Sequence, residues 1–151
     1  MRMRRATIDD VGCLTDFLVA LTQESPYTGG RLANPGHLHD ELVRLLPLDT
    51  SGFFVAETPS GAVVGLIAWL LYPDLITGER CTAEACWYVQ PCYRDGMGLA
   101  LLEVAERWAE SVGATRMQML APAARFGAVY ARRGYVRTDC VFERRLQSCL
   151  G

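Results

Sequence analysis

Lysine is absent from the 151-residue chain: all fifteen basic residues are arginine. No mechanism built on a lysine, such as a Schiff base or the amine of a P-loop, is open to it. Histidine is nearly as scarce, with only His37 and His39, both far in sequence from the cysteines. Charge of one sign is lacking too. Fifteen basic residues face seventeen acidic ones, a formal net charge of −2, so the strongly basic face of a nucleic-acid binder is not expected. No apolar run reaches the roughly 18 residues that cross a bilayer; the longest, Ala62 to Tyr72, is interrupted by Gly65 and closed by Pro73. Neither a nucleic acid nor a membrane is therefore expected as partner. No apolar stretch follows the start Met1-Arg-Met-Arg-Arg, so no secretory leader is expected, and the compartment is expected to be cytoplasmic.

Closely spaced cysteines are also missing. Of Cys13, Cys81, Cys86, Cys92, Cys140 and Cys149, the nearest pair is Cys81 and Cys86. A zinc site wants pairs such as C-x2-C. No metal is expected, and the thiols are expected to be reduced and mostly buried.

What is present is ample apolar material. Half the residues are hydrophobic and 21% charged, which excludes an intrinsically disordered chain. The length suits one domain, residues 1–151, large enough to build its own core.

Periodicity places the elements. Arg4 to Ile8 reads as a short edge strand, and Asp9 or Asp10 can cap the helix that follows, where Val11, Leu14, Leu18 and Leu21 mark one buried face. Gln23 to Pro35, with Ser-Pro, Gly-Gly and Asn-Pro, reads as a long loop. His39 to Leu46 reads as a second short helix. Gly52 to Glu57, the turn Thr58-Pro-Ser-Gly61, Ala62 to Leu71, and Thr82 to Gln90 form an antiparallel meander closed by Pro91. A long helix follows, with Met97, Leu101, Val104, Ala105, Trp108 and Val112 on one face and Gly113 as its C-cap. Thr115 to Leu120 alternates like a strand, Arg125 to Arg133 reads as a helix stopped by Gly134, and Val136 to Leu146 as a last strand. The expected fold class is α/β (α+β), a mixed and mostly antiparallel sheet with helices on both faces.

The segment that carries chemistry is Trp87-Tyr-Val-Gln-Pro-Cys-Tyr-Arg-Asp-Gly-Met-Gly-Leu99. A strand ends at a proline, a short loop holds Arg94 and two glycines, and a long helix begins. The first amides of a helix have no intrahelical partner and sit at the positive end of its dipole, so an anion can bind there. Gly96 and Gly98 permit close approach of the backbone, and Arg94 can add a charge-assisted contact. A pyrophosphate fits this arrangement; a strand-to-helix turn whose glycines only allow tight packing is the other reading. A P-loop is excluded by the missing lysine, and a dinucleotide G-x-G-x-x-G by Leu101 in the third glycine's place.

Arg4-Arg-Ala-Thr-Ile-Asp-Asp10, Val89-x-Pro-x-Tyr-Arg94, Gly96-x-Gly98 and Tyr130-x-x-x-Gly-Tyr135 together resemble the GCN5-related N-acetyltransferases, over nearly the whole chain. The resemblance implies the GNAT fold and an acetyl-CoA-dependent N-acetyltransferase in which a neutral primary amine, of a small molecule or peptide, attacks the thioester directly. It implies that the backbone of Trp87, Tyr88 and Val89 pairs with the pantetheine arm. Arg94, Asp95, Gly96, Met97, Gly98 and Leu99 then cradle the pyrophosphate. Tyr130 matches the tyrosine that protonates the departing thiolate. The chain departs from the pattern where Tyr93, not Arg94, stands three before Gly96, and where Ala123 and Gln118 replace an Asn and a Glu found in other members.

Such chemistry needs a proton acceptor near the amine. Glu84 is the carboxylate within the strand leading to the loop, and so the candidate base; a strand carboxylate can equally face solvent. Asp95 suits a loop cap better than a catalyst. Cys86 lies beside the segment and Cys92 within it, with no histidine close in sequence, which argues against a thiol nucleophile. The expected co-substrate is acetyl-CoA, with an amine acceptor as second partner. A homodimer is open to the fold through edge-strand pairing. A non-catalytic acyl-CoA-binding or dimerisation module on the same fold is the alternative.

Overall fold

The computed structural model describes residues 1–24, 32–120, 124–138 and 144. The chain divides into two compact units, Met1–Leu120 and Ala121–Gly151.

The first unit is built on five strands, β1 (Arg2–Arg5), β2 (Ser51–Glu57), β3 (Val63–Pro73), β4 (Arg80–Val89) and β5 (Arg116–Gln118), in that spatial order. The first four are antiparallel; β5 runs parallel to β4, because the helix between them returns the chain to the starting end of the sheet. The helices are α1 (Val11–Glu24), α2 (Pro35–Leu45) and α3 (Arg94–Ser111). This is the expected mixed, mostly antiparallel sheet, flanked by helices on both faces.

Local chemistry shifts several boundaries. β1 ends at Arg5 rather than Ile8, because Thr7 and Asp10 form a capping box around a 3-10 turn that leads into α1. The Asp10 carboxylate accepts from the Thr7 amide at 2.7 Å and from two Arg4 nitrogens at 2.7 and 2.9 Å. That network holds the Asp10 carboxyl below its ordinary range, the Arg4 hydrogen bonds being the largest cause. α2 starts at Pro35 instead of His39: Asn34 Oδ1 accepts from the His37 amide at 3.2 Å, and proline is at home in a first helical turn. Gly113, at φ 73°, ends α3 as expected, with its amide on the Glu110 carbonyl and the Ala114 amide on that of Ala109.

Two cores sandwich the sheet. On one face Leu14, Phe17 and Leu42 from α1 and α2 meet Phe53, Val55, Leu66 and Tyr88. On the other, Leu101, Leu102 and Ala105 from α3 meet Phe54, Ile67 and Trp69. Both faces are covered, so the central strands read as continuous apolar runs rather than clean alternation. Each buried side chain of this size stabilises by roughly 1.5–3 kcal/mol. α3 lies so close to β2 that a Cβ on Gly52 would stand 2.6 Å from the Trp108 ring.

In the second unit α4 (Ala124–Arg132) is closed by Gly134 at φ 85°. Its Tyr130 ring is buried, 5.7 Å centroid to centroid from Tyr135. The expected strand Val136 to Leu146 lies outside the described residues except for 136–138 and 144, which carry no regular structure.

Candidate active site at the open edge of β4

β5 pairs only with Cys81, Thr82 and Ala83, three residues against the six expected from Thr115 to Leu120. From Glu84 onward, β4 has no strand partner on that side among the described residues. Its backbone there offers donors and acceptors that no ladder among the described residues uses. A bulge sits at the divergence: Ala68 opposes Cys86 and Trp69 opposes Glu84, leaving Ala85 as the extra residue. Bulges bend a strand and re-aim side chains.

Glu84 occupies the vertex of this opening. The Leu120 amide, two residues past the end of β5, donates to its Oε2 at 3.2 Å. Burial pushes the Glu84 carboxyl up to about 7, against a smaller opposite pull from the Leu120 hydrogen bond. Of the two orientations open in the sequence, the structure shows the inward one. Cys86, two residues on, is raised well above an ordinary thiol by burial first and the Glu84 charge second, which disfavours a thiolate there. Cys81 is buried and Cys13 half-buried, but Cys92 is exposed, contrary to the expectation of buried thiols, because the Pro91–Tyr93 turn carries it over the surface. Cys140 and Cys149 lie outside the described residues.

The strand runs into the glycine loop as its spacing predicts, with one refinement. Asp95 (ψ 93°) and Gly96 (φ 80°) are not helical, so the continuous helix starts at Met97. The amides of Met97, Gly98 and Leu99 are thus first-turn amides. Gly96 needs its positive φ, and a Cβ there would meet nothing within 4 Å, which leaves open space over the turn. Gly98 is required for another reason: its Cβ would stand 3.0 Å from Trp87 Cζ2, so the indole of β4 packs directly on the helix start. The residues present therefore fit an anion seated on this turn. Asp95 and Leu99 are exposed and Met97 is half-buried.

Arg94 does not point out over this turn. Its Nε donates to the Val89 carbonyl at 2.8 Å, an Nη pairs with Glu24 at the end of α1, and its guanidinium lies 5.7 Å from the centre of the Tyr88 ring. Tyr88 also donates its hydroxyl to Glu24 at 3.0 Å, while its ring packs 5.3 Å from that of Phe17. The sequence shows Glu24 only as one of several carboxylates able to attract a cation; its link to these partners, 64 and 70 positions away, has no local signal. Gln118, which stands in a family Glu position, accepts from the Tyr72 hydroxyl. Ala123 lies outside the described residues. Tyr130 belongs to the second unit, where its carbonyl accepts from the Arg133 and Tyr135 amides. Among the described residues no cluster of three metal-ligating side chains occurs, and no helix is long and apolar enough to cross a membrane.

Solved structures share this architecture. An acetyltransferase from Trypanosoma brucei superposes with a TM-score of 0.73 at 18% identity, covering 96% of this chain and 99% of its own. The ribosomal-protein-alanine N-acetyltransferase of Brucella melitensis gives 0.73 at 18%, over 97% and 100%. Glucosamine-6-phosphate N-acetyltransferase from Arabidopsis thaliana gives 0.77 at 11%, over 97% and 98%. At these identities the likeness establishes the fold. No curated protein sequence gives a significant match. The family model described as acetyltransferase (GNAT) family matches residues 18–135. The chain thus belongs to the GNAT acetyltransferase family, an acyltransferase family in fold and sequence.

Proposed function

We propose that the protein transfers the acetyl group of acetyl-CoA to a primary amine by direct attack. The observation that carries this reading is one continuous feature: a strand edge, Glu84 to Val89, unpaired among the described residues and leading straight into a positive-φ turn and a helix N-terminus. A pantetheine arm is an extended chain with amide groups and can add to such an edge as a strand does. A pyrophosphate suits the amides of Met97, Gly98 and Leu99. Trp87 and Gly98 hold edge and helix start in fixed relation.

In the reaction the amine nitrogen bonds to the thioester carbon and the carbon–sulfur bond then breaks. A β4 backbone amide stabilises the oxygen that gains charge in between. The amine loses a proton and the thiolate needs one. Glu84 takes the first: a carboxylate titrating at about 7 is partly ionised at neutral pH and basic enough to accept it. Tyr130 supplies the second, its role implied by its place in the family motif. Other members of the fold carry names that specify a protein alanine and a sugar phosphate as acceptors. The acceptor class here is a primary amine of a small molecule or peptide.

Thermal unfolding with acetyl-CoA, CoA and ATP tests the cofactor. Ligand at 100 times its dissociation constant adds about 2.7 kcal/mol, which is roughly 5–10 °C for a domain of this size. Shifts with acetyl-CoA and CoA but not ATP are expected; no shift with any of them would sink the reading. Thiol release with a panel of amines tests the chemistry, with Tyr130→Phe expected to lose about 100-fold or more in kcat. Ligand shifts without turnover on any amine would instead support a non-catalytic acyl-CoA-binding module.

A further inference from the structure

We propose that Glu24 is a positioning residue for the cofactor loop: it engages Arg94 so that the guanidinium clamps the last carbonyl of β4 and leaves the anion to the backbone amides. This inference rests on the reading of the Gly96 turn as the pyrophosphate seat.

The cluster gathers the last residue of α1 (Glu24), the last two of β4 (Tyr88 and Val89) and the residue that opens α3 (Arg94). An isolated ion pair between side chains 39% and 48% exposed would count for little. This one is not isolated. One Glu24 oxygen takes the hydroxyl of buried Tyr88 at 3.0 Å and the other takes Arg94. Together they hold the Glu24 carboxyl below its ordinary range, Arg94 contributing most.

The guanidinium is largely committed: Nε to the Val89 carbonyl at 2.8 Å, an Nη to Glu24, and its plane near the Tyr88 ring at 5.7 Å. An arginine serving a ligand phosphate would present its fork to the turn. Here the fork fastens the point where the strand gives way to the loop. That accounts for Arg94 standing two residues before Gly96 rather than three: from this position it reaches back to Val89, five residues earlier.

The two roles for Arg94 predict opposite signs. Calorimetry would compare CoA with S-acetylpantetheine, which lacks the pyrophosphate, on the wild type, Glu24→Gln and Arg94→Ala. If Arg94 is a clamp, Glu24→Gln weakens both ligands by a similar factor, about 3–10-fold given the modest strength of exposed ion pairs. KM for acetyl-CoA rises by the same factor while kcat stays within about twofold, since only binding geometry is loosened. Amide hydrogen exchange over residues 90–99 speeds up without ligand. Tyr88→Phe, which removes only the hydroxyl, repeats the loosening to a smaller degree and serves should Glu24→Gln fold poorly. The proposal is overturned if Glu24→Gln binds CoA as well as or better than wild type while Arg94→Ala weakens CoA alone. Should the wild type bind neither ligand, the cofactor reading falls. The clamp is then judged by exchange, and unchanged rates in Glu24→Gln would overturn it.

Discussion

The two halves of β4 share one strand and one set of cross-strand partners on β3, yet they have different occupations. Cys81 to Ala83 is paired on both edges, to β3 and to β5, and its backbone is spent on structure. Glu84 to Val89 keeps β3 but has no strand on the other edge among the described residues, with a bulge at Ala85 where the two halves meet. A sheet that is closed on both sides can only be a core. Opening one edge turns the same backbone into a place where an extended ligand can be held, and the bulge brings a half-buried carboxyl to the point of divergence.

The largest expected effect falls at that point. Glu84→Gln should lower kcat by about 100-fold or more and abolish the rise of activity through the pH at which the acid titrates, about 7. The same substitution should stabilise the fold at alkaline pH. Burial raises this carboxyl from 4.5 to about 7, so the folded state holds a proton that the unfolded state has already released between those values. Wild-type stability from this group therefore falls as pH rises from 4.5 to 7 and stays low above it. Urea unfolding at pH 8 should find Glu84→Gln more stable by on the order of 1–3 kcal/mol, a gain that shrinks toward pH 5. A variant that loses activity without this pH-dependent gain would mean that desolvation does not hold the Glu84 carboxyl above its ordinary range.

An intermediate effect is expected where the open half meets the loop. Gly96→Ala forces a side chain onto φ 80°, and Gly98→Ala sets a Cβ 3.0 Å from Trp87. Each should weaken CoA by roughly tenfold, the equivalent of about 1–2 kcal/mol of strain. Gly78→Ala is the control: it has the same backbone demand at φ 74° in the β3–β4 turn, at the opposite end of β4 from the glycine loop. It should cost stability in thermal unfolding but leave CoA affinity unchanged.

The smallest effect should come from the closed half. Thr82 is fully buried, and its hydroxyl has no hydrogen-bond partner among the described residues. Thr82→Val keeps the shape and removes a desolvated polar group, so stability should be unchanged or rise by up to about 1 kcal/mol. Its kcat and KM should remain within about twofold. A tenfold loss of activity would erase the division between the halves.

Much of this was legible in the chain. The meander, the long helix and its Gly113 cap follow from period and punctuation, because side-chain burial and backbone freedom are local properties. The loop from Val89 to Leu99 was readable for the same reason: strand, proline, glycine and helix start lie within a dozen residues. Boundaries moved where one side chain captured a backbone group, as Thr7 and Asp10 do before α1 and Asn34 does before α2. Arg94 was legible as a residue but not as a contact, since its partner Glu24 lies 70 positions away.

The sequence by itself determined the class of fold, the glycine turn that opens α3 and the presence of a carboxyl at residue 84 in β4, since each depends on neighbours a few bonds apart. Only the tertiary structure decided which way Glu84 faces, where β5 lets go of β4, and that Arg94 turns back to Val89 rather than out over the loop. Those outcomes depend on competing long-range pairings of backbone and charge, and they are settled only when α1, β4, β5 and α3 are packed together.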